Sequence, residues 1–87
     1  MDTRTATAAA EAVVRTIREH SPLAWRNREL PFDLRLGASG LGLDSIAIVE
    51  LLIECESAVG IPFPPALFDG GPLTVGRLVN HGRHSAS

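Results

Sequence analysis

The chain has 87 residues, 45% hydrophobic and 21% charged, enough for one small core. No apolar run approaches the roughly 20 residues of a membrane span. Its one cysteine, Cys55, excludes an internal disulfide and fits a reducing compartment, and the polar start Met1-Asp2-Thr3-Arg4 lacks the apolar core of a secretory leader, so a cytoplasmic location is expected. The net charge of −2 is unevenly spread: Asp44, Glu50, Glu54, Glu56 and Asp69 give −5 between Arg35 and Arg77, against +3 elsewhere. That window argues against nucleic acid as a ligand. It suits a partner with a basic surface, or else is simply a solvated helix face.

A first helix is expected from about Ala6 to His20. Ala6, Ala9, Ala10, Val13 and Ile17 recur at helical spacing, with Val14 widening the stripe. Thr5 or Thr7 is a candidate cap, and Ser21-Pro22 should end the helix. Leu23 to Leu43 is a long connection with room for a short helical turn. Its residues Leu23, Trp25, Leu30, Phe32, Leu34, Leu36, Leu41 and Leu43 are expected to pack back over the bundle.

A central helix is expected from Ser45 to about Val59, stopped by Gly60 and Pro62. At about 100° per residue, Ile48, Leu51, Leu52, Cys55 and Val59 fall on one arc, a sufficient core stripe. Cys55 reads there as a small buried hydrophobe. A second apolar arc is left over: Ile46, Val49 and Ile53, with Ser45 and Glu56 along one edge and Glu50, Glu54 and Ser57 along the other. It is either a docking strip rimmed by carboxylates or a patch covered by the loop or the next short helix.

Beyond Gly60, Ala66-Leu67-Phe68 can form one short turn with Pro64 or Pro65 at its start. Thr74 is a good cap for a last helix through Val75, Leu78 and Val79 to about His81, ended by Gly82. The expected architecture is all-α: three main helices, a short helix before the last of them, and a long loop between the first two. Residues 6–82 are expected to form the domain, with tails at 1–5 and 83–87.

The run Gly40-Leu41-Gly42-Leu43-Asp44-Ser45 leads straight into the central helix. Asp44 can cap it, which puts Ser45 at the first helical position, where free amides and the helix dipole favour an anion. Asp-Ser is also an ordinary cap pair. No Gly-x-Ser-x-Gly elbow, phosphate-binding loop or zinc pair is present. His20, His81 and His84 are not spaced as metal ligands, and the last two are expected to be exposed at or beyond a helix end. An enzyme is therefore not expected.

Leu41-Gly42-Leu43-Asp44-Ser45-Ile46 resembles the Leu-Gly-x-Asp-Ser-Leu/Ile signature of acyl carrier proteins. Val49-Glu50-Leu51, Ile61-Pro62 and Thr74-Val75 resemble later segments of that family, in the same order, over about residues 8–82. The resemblance implies 4′-phosphopantetheine on Ser45, delivered from coenzyme A by a phosphopantetheinyl transferase whose metal site Asp44 would support. It implies Ile46, Val49, Glu50, Ile53 and Glu54 as the recognition surface for that transferase, for an acyl-loading enzyme and for a downstream synthase or transferase with basic docking surfaces. Ala47 and Ile48 stand where an acid and a threonine are common in fatty-acid carriers, and residues 64–68 lack the usual acids. These departures resemble carriers of polyketide, nonribosomal peptide or other specialised pathways, acting in trans as monomers. A peptidyl or aryl carrier of a nonribosomal pathway is the alternative within the family. An unmodified helical interaction module is the alternative outside it. A DNA-binding helix-turn-helix is opposed by the absence of arginine from the central helix.

Overall fold

Alanine is the best helix former, and the alanine-rich start of the chain carries the first helix further forward than capping residues suggest. The computed structural model describes residues 3–86, and in it α1 spans Thr3–His20. Thr5 and Thr7 thus lie inside the helix and do not cap it; of the expected tail, 3–5 are helical, and residues 1 and 2 lie outside the described residues. One face of α1 is buried through Ala9, Ala12, Val13, Thr16 and Ile17. The buried hydroxyls are satisfied by back-bonding: Thr16 Oγ1 donates to the Ala12 carbonyl at 2.8 Å, and Ser21 Oγ to the Ile17 carbonyl at 2.7 Å.

After Pro22 a single turn, α2, spans Leu23–Arg26. Arg18 ties this region to α1, donating from Nη1 to the carbonyls of Arg26 (3.0 Å) and Arg28 (2.8 Å). Trp25 is partly buried against the core, with the Arg28 guanidinium 4.4 Å above its ring. The loop packs back as expected through Leu30, Leu36 and Leu41, which are buried, and through Leu34 and Leu43, which are partly so. Leu23 and Phe32 do not follow: they remain 78% and 55% exposed.

The next helix, α3, spans Ser45–Val59, with Ile48, Leu51, Leu52 and Cys55 buried as its core stripe. Gly60 closes it, donating its N–H to the Glu56 carbonyl at 2.7 Å. A 3₁₀ segment follows over Pro65–Gly70, with proline in its first turn. The last helix, α4, spans Val75–Ala86. Thr74 caps it as expected, Oγ1 accepting from the Arg77 N–H at 3.2 Å.

Gly82 does not end α4. The helix runs through it, and the glycine serves close packing instead: a Cβ there would lie 3.0 Å from Val13 Cγ2 and 3.6 Å from Phe63 Cζ. Gly82 is a contact point between α4 and α1, and residues 83–86, expected as a tail, are helical; residue 87 lies outside the described residues. His81 is accordingly half-buried, its ring 4.7 Å from that of Phe63 at 72° and its Nε2 2.6 Å from the Pro62 carbonyl oxygen.

The described residues form an all-helical bundle with no strand, in which α1 packs along both α3 and α4. The core joins Val13 and Ile17 of α1, Leu51 of α3, Phe63 and Val75, Leu78 and Val79 of α4. Each such side chain contributes roughly 1.5–3 kcal/mol by leaving water. No described helix is long and apolar enough to cross a membrane.

Candidate functional site

The approach to α3 is held by hydrogen bonds remote in sequence. Leu36 N–H donates to the Leu73 carbonyl at 3.0 Å, and Val75 N–H to the Leu34 carbonyl at 3.0 Å, leaving Arg35 and Thr74 paired as an isolated antiparallel bridge. From there the chain turns tightly. Leu41 N–H donates to the Arg35 carbonyl (2.9 Å), Gly42 N–H to that of Gly37 (2.8 Å) and Leu43 N–H to that of Leu36 (3.0 Å). A Cβ at Gly40 would lie 1.9 Å from the Arg35 carbonyl oxygen, so only glycine fits the fold of this loop.

Asp44 then adopts extended backbone and caps α3, Oδ1 accepting from the Ala47 N–H at 2.8 Å. Its own carbonyl accepts from Ile48 N–H at 2.9 Å. Ser45 is the first residue of the helix, and both it and Asp44 before it are exposed. The first-turn amides ahead of Ala47 have no intrahelical acceptor, and no acid other than the cap lies in that turn. A phosphate on Ser45 would meet those amides and the positive end of the helix dipole.

The second apolar arc of α3 is uncovered. Ile46, Val49 and Ile53 are 70%, 43% and 59% exposed; neither the loop nor the 3₁₀ segment lies over them. Glu50 and Glu54 are exposed beside this strip. The fold thus places Ser45, Ile46, Val49, Glu50, Ile53 and Glu54 on one helix, outward from the core stripe, with Asp44 as its cap.

Two features of the surroundings had no local signal in the sequence. Glu54 Oε2 lies 3.1 Å from His20 Nε2 at the end of α1. Glu56, at the edge of the strip, is turned to structural use: its Oε1 accepts the Phe63 N–H at 2.8 Å, fixing the chain after α3. Cys55 is fully buried, and burial, with the Glu54 charge second, pushes its thiol pKa up to about 12. A thiol so placed is an inert core group.

The family model described as a phosphopantetheine attachment site matches residues 30–81, well over half of the chain. It begins at Leu30 in the loop and ends at His81 in α4, so it takes in Ser45 and all of α3. No curated protein and no solved structure matches the chain significantly.

Proposed function

The chain belongs to the phosphopantetheine-attachment family, and on that premise we propose that the Ser45 hydroxyl is the point at which its arm is joined. Domains of this family carry 4′-phosphopantetheine covalently and are themselves non-catalytic carriers, working with a phosphopantetheinyl transferase and with partner synthase enzymes. When attached, the arm supplies a thiol that holds cargo as a thioester.

One observation carries the assignment to Ser45: an exposed hydroxyl at the first position of α3, directly behind a capping aspartate and beside an uncovered apolar strip. The serine oxygen becomes the bridging atom of a phosphodiester. It attacks the phosphorus that bears pantetheine in coenzyme A, the adenosine 3′,5′-bisphosphate leaves, and the hydroxyl proton passes to a base of the transferase. Asp44 spends Oδ1 on the Ala47 amide and keeps Oδ2 to support the transferase's magnesium site. Ile46, Val49 and Ile53 give partners an apolar grip, and Glu50 and Glu54 give them the charge that selects a basic docking surface.

Of the cargo classes, an acyl group of a specialised pathway fits best, presented in trans to separate enzymes in the cytoplasm. The support is the weak acidity of the exposed face, where Glu50 and Glu54 stand beside Ala47, and Glu56 is occupied by Phe63. Intact mass before and after incubation with coenzyme A, magnesium and a broad-specificity transferase tests the attachment. The expected gain is one phosphopantetheine, absent in Ser45→Ala. No gain from folded protein with either that transferase or a cognate one refutes the assignment. Mass spectrometry of the loaded protein from its own cells then reads acyl against aminoacyl or aryl cargo.

A further inference from the structure

The bundle has a second apolar surface, formed entirely away from α3. A groove of about 500 Å³ runs between α1 and α4, floored by Ala10, Val14 and Val79 and closed at one side by Phe32. Phe32 is exposed, but its backbone is tied to α4: its carbonyl accepts the Gly76 N–H at 2.8 Å, and a Cβ on Gly76 would lie 3.2 Å from Phe32 Cβ. These contacts place the Phe32 backbone and Cβ at the groove, where the side chain gains little burial.

The rim has one dominant sign. Arg15, Arg18 and Arg83 border the groove against a single carboxylate, Glu11. Arg18 is held in place by the Arg26 and Arg28 carbonyls, while Arg15 and Arg83 are exposed. Guanidinium groups around an apolar floor match carboxylates around an apolar stripe. The groove follows α1 from Thr7 to Arg18, about 16 Å at 1.5 Å per residue, or three helical turns. It is open along its length, whereas small-molecule sites enclose most of their ligand.

We propose that this groove docks an amphipathic helix of a partner protein, with apolar residues at helical spacing flanked by glutamates or aspartates. The site is separate from the arm-bearing helix, since among the described residues none of α3 lines it. A partner can therefore hold the carrier here while α3 stays free for another enzyme, and the inference holds whether or not Ser45 is modified.

The test is titration of the ¹⁵N-labelled full chain with a helical peptide of about four turns, leucines on one face and glutamates beside them. A control peptide replaces each glutamate with lysine. The glutamate peptide should shift the amides of Ala10, Val14, Phe32 and Val79 and bind at least about tenfold tighter than the control. Arg15→Ser/Arg83→Ser, both at exposed positions, should lose about tenfold in affinity with an unchanged spectrum outside the groove. Ser45→Ala should bind like the parent. Equal affinity for both peptides, shifts confined to Ile46–Ile53, or an unaffected arginine variant overturns the proposal. So does dodecanoate binding in the groove more tightly than the peptide, which would assign it to a small amphiphilic acid. Groove shifts caused by unlabelled protein in place of peptide would assign it to a second copy and overturn it equally.

Discussion

His20 Nε2 stands 3.1 Å from Glu54 Oε2, so the last turn of α1 touches the carboxylate rim of the exposed strip on α3. Glu54 is largely solvent-exposed, and such an imidazole–carboxylate contact contributes at most about 1 kcal/mol. His20→Ala should therefore lower stability by less than about 1 kcal/mol in urea denaturation. Its larger effect should be on association with a basic partner enzyme. Removing the imidazole releases Glu54 to that partner, and the salt dependence of the association rate should steepen.

Asp44 has two tasks, and they separate experimentally. Asp44→Ala removes the cap of α3 and should cost about 1 kcal/mol of stability by chemical denaturation. Asp44→Asn keeps an acceptor for the Ala47 amide and should recover most of that loss. If Asp44 also supports the transferase metal, the asparagine variant should still be modified slowly when the mass gain is followed over time.

Ile53 is 59% exposed and lies on the uncovered strip. Ile53→Ser should leave stability within about 0.5 kcal/mol of the parent, since it empties no core position. Transfer of the arm by the transferase should slow, because the strip then offers that enzyme less apolar surface to bury. Leu51→Ala, on the fully buried face of the same helix, should instead destabilise the fold by about 2–5 kcal/mol.

The loop before Ser45 depends on the absence of a side chain at Gly40. Gly40→Ala forces a Cβ against the Arg35 carbonyl and should cost about 2–3 kcal/mol, read as a lowered denaturation midpoint. Amide exchange should quicken first at Leu41 and Leu43, whose hydrogen bonds to Arg35 and Leu36 would break.

The Cys55 thiol has its pKa raised to about 12 from an unfolded value of 9.0, chiefly by burial. The folded state thus binds the proton more tightly than the unfolded state. Its stabilising contribution is complete below pH 9.0 and is lost as the pH rises toward 12. The denaturation midpoint should fall over that range, and Cys55→Ala, though less stable at neutral pH, should show a shallower fall. In mildly alkaline buffer the native thiol should resist a thiol-modifying reagent until the protein unfolds.

Much of this was readable from short-range pattern. The core stripe of α3 follows from the spacing of Ile48, Leu51, Leu52 and Cys55, and its start from Asp44, because caps and helical periodicity are local properties. The exposure of Ile46, Val49 and Ile53 was open in the sequence, since only the placed loop decides what covers a helix face. Gly82 is ambiguous for a similar reason: a glycine that stops a helix and one that admits a neighbouring helix look alike until Val13 is in place. The approach of His20 to Glu54, and that of Glu56 to the Phe63 amide, join residues whose proximity only tertiary packing creates.

The bridge between Arg35 and Thr74, with its flanking bonds from Leu36 to Leu73 and from Val75 to Leu34, sets an order of events during synthesis. The Asp44-Ser45 motif is complete in sequence long before the chain reaches Leu73. Its mooring is not. A nascent chain stopped short of Leu73 carries Ser45 behind a loop that lacks both the Leu36–Leu73 and the Val75–Leu34 bonds. Recognition that requires the folded approach to α3 must then wait for the segment from Leu73 to Val75, which makes Ser45 a late-maturing part of an early-written segment.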